Sequence, residues 1–494
     1  MSLLLYGFAF VGLLLYSIWP KRRLAPGPPR LPIVGSLPFI DQSKHLLEQA
    51  PAWREKYGGV VQVSLGMADW LLITKVADAR QLLYGTAVED RPRLMLYHDE
   101  IHPERWLGPA AKADEWILAT RRVTGQLVRT VGDHGGEHAA KMMLEWLEFH
   151  LKEQPDFERT LWHFAVANAL ESAYGIQLES ASQAAEFDEL QDLIDTGRHM
   201  MTAFDPQSEP TVFFPFVEHL NPSRTRTIKA RGAAMYAEWE TRAKRLGGKV
   251  REMGKNAKAS QFDLAGRDKE YSMTEDELDY QGALLLVGTL DTVYHTSVLA
   301  AACFAYLGDA QQQIREEVDA LSAQGAPASQ SPKLVAFLRE TLRLYPFAAT
   351  GFPRQTSKPL PLPGRSDKVL PVGTVLVPLT MTLARDQEYW GPDAEEHNYR
   401  RFMEDDTLKA QPFPVFGYGY GRRACPGYRL AEVMMANAIG GLLSRYELSF
   451  EGRDSGETDA TATLDETLRI KLRGNVFMMD LPRCRTTRRR DCPM

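Results

Sequence analysis

Tyr418-Gly419-Tyr420-Gly421-Arg422-Arg423-Ala424-Cys425-Pro426-Gly427, followed by an amphipathic stretch from near Tyr428 to about Ser444, is the segment of this 494-residue chain on which its reading turns. Three glycines within nine residues permit tight reversals and let backbone N–H groups come close to whatever Cys425 holds. A cysteine just before a helix N-terminus meets the positive end of the helix dipole, and an adjacent guanidinium favours the anionic sulfur further. The segment is therefore suited to stabilising a thiolate. A lone cysteine is more often a small buried hydrophobe, but the spacing of Gly421, Arg423, Cys425 and Gly427 speaks against that.

Working outward, the four cysteines, Cys303, Cys425, Cys484 and Cys492, are too sparse for a disulfide framework, and none are spaced as a Cys-x-x-Cys metal pair. The bulk of the chain is expected in a reducing compartment. Apolar residues make up 44% and charged residues 25%, which excludes collagenous, disordered and low-complexity classes. The net charge of −6 gives no global attraction for a polyanion, so no nucleic-acid partner is expected. The one basic patch, Arg483 to Arg490, reads as a solvated, frayed terminus.

The body reads as mainly α with a smaller β portion. Val60 to Leu65 and Trp70 to Thr74 are β-type runs separated by Gly66 to Asp69, which predicts a hairpin, and Gly373 to Leu379 is a third β-type patch. Between Val123 and Ser331 the pattern is helical, with breaks at Pro155, Pro206 to Pro210 and Pro222. The longest helix is expected from about Met273 to Tyr306, with acidic residues in its first turn complementing the dipole. At about 1.5 Å per residue it reaches about 50 Å. Its middle, Gly282 to Gly288, is apolar all round. Asp291 and Thr292 follow, where a core helix has no need of polar groups. Thr292 either bonds back to the carbonyl four residues earlier or serves chemistry.

Leu3 to Trp19 is an apolar run followed at once by Pro20, Lys21, Arg22 and Arg23. Its length, about 26 Å as a helix, is enough for a thin bilayer core. A signal peptide carries its charge before the apolar run, so residues 1–20 read as an uncleaved anchor with the remainder cytosolic. Residues 21–38 form a basic, Pro-rich hinge whose prolines favour stiff, extended backbone, and residues 39–494 form the catalytic body.

The chain resembles a membrane-anchored eukaryotic cytochrome P450, most similar to fungal heme-thiolate monooxygenases. Besides the cysteine loop, the resemblance rests on Glu340-Thr341-Leu342-Arg343, on Arg401-Phe402, and on Gly288-Thr289-Leu290-Asp291-Thr292, in the family's order and spacing. Departures are Tyr418 where the family usually has phenylalanine, Thr289 for a glycine, Val293 for a threonine or serine, and Tyr399 for a proline. Thr120 stands where an arginine commonly follows Trp116.

The resemblance implies a cytochrome P450 fold with one N-terminal transmembrane helix, in the endoplasmic-reticulum membrane, and heme b ligated by Cys425. It implies Gly421 and Gly427 shaping the loop, and Arg423, Arg354 and Trp116 at the heme propionates. Asp291 and Thr292 are implied as the proton route. Glu340, Arg343 and Arg401 are implied as a buried charge network with a structural role. The chain carries no dinucleotide fingerprint or flavin domain, so electrons are expected from NADPH through NADPH-cytochrome P450 reductase. The expected reaction inserts one oxygen atom from O2 into a hydrophobic small molecule, a secondary metabolite by likeness to the fungal members. Alternatives are a heme-thiolate isomerase or dehydratase acting on a peroxide, and a non-catalytic heme-binding protein. The loop Pro92 to Trp106, Phe347 to Phe352, and the apolar residues of Met200 to Phe216, including Met201, Phe204, Phe213, Phe214 and Phe216, are candidates for lining the substrate pocket or for packing in the core.

Overall fold

The hairpin foreseen around Gly66 forms as β1 (Val60–Leu65) and β2 (Ala68–Ile73), antiparallel with Val60 opposite Ile73. Gly66 has a φ of 62°, a left-handed conformation in which a Cβ is costly. The turn is tighter than the sequence suggested, because Ala68 and Asp69 belong to β2. The computed structural model describes residues 23–93, 143, 145, 157–178, 180, 183, 184, 186, 187, 190–202, 213, 214, 220–253, 274–409, 416–450, 463–468, 470–473, 476–479 and 484–488. The anchor expected at residues 1–20 and Trp116 lie outside these.

β3 (Arg354–Gln355), the hairpin of β4 (Leu360–Leu362) with β5 (Arg365–Leu370), and β6 (Val375–Pro378) come from the C-terminal half of the chain. β2 pairs in parallel with β6, and β3 pairs antiparallel with β6, giving the order β1-β2-β6-β3. The proline-rich segment lies along β1. Gln62 Oε1 accepts from the N–H groups of Leu24 at 2.8 Å and Ala25 at 3.2 Å, and the Gln62 N–H donates to the Pro26 carbonyl at 2.7 Å. Gly27 is required there, since a Cβ would stand 1.9 Å from the Gln62 carbonyl oxygen. Lys368 of β5 donates to the Arg23 carbonyl at 3.0 Å, and Arg30 pairs with Asp69 at 3.2 Å.

The helices that place the site are α1 (Leu46–Tyr57), α2 (Val76–Leu83), α3 (Phe157–Tyr174), α4 (Leu190–Thr202) and α5 (Pro222–Met253). They continue with α6 (Glu275–Tyr306), α7 (Gly308–Ala323), α8 (Pro332–Leu344), α9 (Thr380–Ala384) and α10 (Tyr428–Arg445). Pro222, read from sequence as a break, opens α5 instead. In the first turn its missing N–H has no helical partner to lose. α6 starts two residues later than expected and packs on α3, α5, α8 and α10. Gly282 lets the Tyr174 ring against it, since a Cβ would be 2.6 Å from that ring. Asp279–Tyr306 has the length and apolarity of a membrane span, yet most of it is buried inside the protein, as a core helix is.

The largest apolar cluster gathers side chains of α3 to α8 and α10. Within it Phe304 of α6 and Phe337 of α8 stack with centroids 3.7 Å apart. Two smaller clusters flank the sheet. Met200 belongs to the large core cluster, and the partly buried Phe213 packs on Trp70 of β2 at 5.9 Å. The basic tail also differs from its reading as a frayed end. β8 (Cys484–Arg488) pairs antiparallel with β7 (Tyr446–Phe450), which directly follows α10. The fold is mainly α with a smaller β portion.

Candidate cofactor-binding site

The cysteine loop closes on itself through the Cys425 N–H, which donates to the Tyr418 carbonyl at 2.7 Å. Two left-handed glycines make the closure possible, Gly419 with φ 78° and Gly421 with φ 54°. Gly421 has a second reason to be glycine, since a Cβ there would stand 2.4 Å from the Leu83 carbonyl of α2. Gly427 caps α10, and a Cβ on it would stand 3.8 Å from Cys425 Sγ. Cys425 is exposed while Arg423 and Tyr420 beside it are buried. The loop thus presents its sulfur near the positive end of α10.

Arg423 is 6% exposed and its Nε donates to the Glu89 carbonyl at 2.9 Å. Arg354, on β3 and 3% exposed, sends Nη2 toward the carbonyls of Arg423 at 3.4 Å and Tyr420 at 3.5 Å. A third buried guanidinium adjoins them. Arg91 donates to the Pro353 carbonyl at 3.3 Å and lies over the Phe352 ring at 5.0 Å. Sequence reasoning missed Arg91; the signal available was an arginine on each side of Pro92. Buried cations are costly unless something negative meets them.

These residues fit heme. Among the described residues no group of three or more His, Cys, Asp or Glu could hold a metal ion, so none of them completes a protein ligand set around Cys425. A porphyrin supplies four nitrogens, and its propionates match buried guanidinium groups.

Glu340 and Arg343, one turn apart on α8 and both fully buried, form a two-pronged pair at 2.7 and 2.8 Å. Arg401 joins Glu340 at 3.2 Å and Asp393 at 2.7 Å. The Asn398 N–H donates to Glu340 at 2.8 Å, and Arg343 also donates to the carbonyls of Ala384, Ala394 and Glu396. α9 links this network to the cysteine loop. Its last residue is Ala384, and its first, Thr380, shares a 3.1 Å hydroxyl bond with Tyr420. His397, bonded to Thr341 at 2.9 Å, is driven down to about 4, mainly by burial. The Tyr418 hydroxyl, the loop's departure from phenylalanine, is buried and finds no hydrogen-bond partner among the described residues. Burial first, then the charges of Glu432 and Cys425, push its ionisation well up.

On α6, the Thr292 hydroxyl donates to the Gly288 carbonyl at 2.8 Å, the back-bond that was one of its two readings. Asp291 is buried and turned toward α4, where Arg198 Nη2 meets its Oδ1 at 2.6 Å; His295 Nδ1 stands 3.0 Å from the same oxygen. Burial pushes the Asp291 carboxyl up, but hydrogen bonds and charge from His295 and Arg198 outweigh it and hold the group below the usual carboxylate range. Arg198 and His295 were not read from sequence. His295 was legible in principle, being one turn beyond Asp291; Arg198 was not. Cys425, Arg423, Arg354, Gly421 and Gly427 therefore form one constellation, Glu340, Arg343 and Arg401 a second, and Asp291 with Thr292 a third.

Curated relatives span most of this chain. It is 25% identical to cytochrome P450 monooxygenase drtD of Aspergillus calidoustus, over 85% of this chain and 78% of that protein. It is 24% identical to cytochrome P450 monooxygenase astF of Aspergillus oryzae, over 93% and 86%. It is 23% identical to cytochrome P450 71B25 of Arabidopsis thaliana, over 88% and 89%. The cytochrome P450 family model matches residues 25–473, and with a thiol and buried guanidiniums arranged as this loop arranges them, the chain belongs to the cytochrome P450 family, oxidoreductases that incorporate oxygen and bind heme b through a cysteine thiolate.

Proposed function

We propose that this chain is a membrane-anchored monooxygenase that inserts one oxygen atom from O2 into a hydrophobic small molecule, a secondary metabolite, with electrons from NADPH delivered by NADPH-cytochrome P450 reductase. The observation that carries the reading is the exposed Cys425 thiol at the N-terminus of α10 with Arg423, Arg354 and Arg91 buried nearby. Cys425 would hold the heme iron through its sulfur, and these arginines, with Trp116, would neutralise the propionates. Gly427 keeps the backbone close beside the sulfur, and Gly421 lets the loop pack against the Leu83 carbonyl of α2. Heme, once bound, supplies the activation of dioxygen, which a thiolate ligand promotes.

The protein's own residues manage protons and water. The Thr292 hydroxyl spends its proton on the Gly288 carbonyl, so its lone pairs are left to accept a bond from a water. Asp291 passes protons from the α4 side. Glu340, Arg343 and Arg401 hold the loop through α9 and touch no substrate, which makes their role structural. The anchor at residues 1–20, continued by the Pro-rich segment fastened along β1, would hold the catalytic body on the cytosolic face of the endoplasmic reticulum.

The test is expression in reductase-containing microsomes, a screen of hydrophobic metabolites for a spin-state shift, and product identification by mass. The expected result is a product bearing one added oxygen that needs both NADPH and O2. Conversion without NADPH overturns this reading in favour of an isomerase or dehydratase, and binding without conversion overturns it in favour of a carrier.

A further inference from the structure

The Arg198, Asp291 and His295 side chains meet between α4 and α6 in a geometry that fixes where each proton lies. Asp291 Oδ1 receives Arg198 Nη2 at 2.6 Å and Nε at 3.2 Å, with His295 Nδ1 at 3.0 Å. His295 Nε2 stands 3.2 Å from Arg198 Nη2. A guanidinium nitrogen only donates, so Nε2 is the acceptor and the ring proton sits on Nδ1, aimed at Asp291. The Nδ1 hydrogen bond runs to the Asp291 carbonyl at 2.9 Å, and Oδ1 at 3.0 Å stands close enough to share the same proton. Three donors crowd one carboxylate oxygen, and every bond to the carboxylate that the structure describes goes to Oδ1.

We propose that His295 is a positioning residue which, as the neutral Nδ1–H tautomer, latches α4 to α6 through Asp291 and leaves Oδ2 as the oxygen on which Asp291 carries a proton. An oxygen saturated by three donors is a poor site for a further hydrogen, whereas its twin keeps its lone pairs. The latch belongs to the same helix as Thr292: Thr292 bonds to Gly288, and Thr296 bonds back to the Thr292 carbonyl at 2.7 Å. Phe347 and Tyr294 flank the imidazole ring at 6.4 and 5.1 Å between centroids. Asp195, 3.1 Å from Arg198, anchors the guanidinium from its own helix. The proton-handling part rests on the proposed function, while the latch itself does not.

Two replacements separate the roles of the ring nitrogens. Asparagine places an amide N–H near Nδ1, and leucine fills the volume with no donor. The measurement is amide hydrogen exchange over residues 190–202 in the heme-loaded ferric protein without reductase, followed by product formed per NADPH in microsomes. His295→Leu is expected to raise exchange in α4 about tenfold, as for one lost charge-assisted hydrogen bond, and to lower product per NADPH severalfold. His295→Asn is expected to stay within about twofold of the unmodified protein in both measurements. Unchanged exchange in His295→Leu overturns the latch, as does a rise shared equally by α10, which marks global loosening. Failure of His295→Asn to rescue overturns the tautomer. If the unmodified protein never oxidises a substrate with NADPH, the function falls, and the exchange result still decides the latch.

Discussion

Glu340 shows how much one buried carboxylate can carry. It accepts from two arginine side chains and from the Asn398 backbone, with no exposure to water. Glu340→Gln keeps the shape and removes the charge, stranding Arg343 and leaving Arg401 only the Asp393 carboxylate, so a cost of about 3–5 kcal/mol is expected, read as a lower urea midpoint with depleted heme. His397 makes a prediction in pH. Its ionisation falls from an ordinary value of 6.5 to about 4 in the folded protein. Between those values the unfolded chain binds the extra proton, so stability is complete above about pH 6.5 and declines as pH falls toward 4, by about 3 kcal/mol in all. His397→Gln, which keeps a polar atom near Thr341, is expected to flatten that slope in denaturation series. At this scale the sequence was legible wherever chemistry is local. Glu340 and Arg343 are three apart, and Cys425 is framed by its own glycines. Arg401, 61 residues from Glu340, was found by family spacing alone, and Arg198, 93 residues from Asp291, lay beyond both kinds of reasoning.

Among the elements, the strap formed by residues 23–30 ties the two ends of the sheet story together. It is fastened by backbone bonds to Gln62 and by Lys368, not merely stiffened by its prolines. A deletion of residues 1–22 is therefore expected to move the protein largely into the soluble fraction with its thermal midpoint little changed. Extending the deletion through Gly27 strips the bonds to Gln62 and removes Ala25, which is 1% accessible and packed into the cluster beside the sheet, and is expected to lower the midpoint by several degrees. Sedimentation after lysis and a melting curve check both. The hairpin β1–β2 and the helix α6 were readable because alternation and helical period are properties of consecutive residues. β3, two residues long, was not; it is a strand only because β6 offers it a ladder. Pro222 and the Arg483–Arg490 tail were misread for a related reason, since whether a proline opens a helix or a basic run joins a strand depends on partners elsewhere in the chain.

On the scale of the molecule, the sheet order is the least local fact about this chain. Trp70 of β2 lies beside Val375 of β6, and β6 in turn holds β3 with Arg354. A ribosome adding about 5–20 residues per second needs roughly 15–60 s to deliver the missing strand after the hairpin emerges. During that interval the open edge of β2 is a template for unwanted pairing, and slow non-local closure of this kind prolongs such exposure. Newborn chains halted before residue 375 should therefore be the form most readily seized by chaperones or trimmed by proteases.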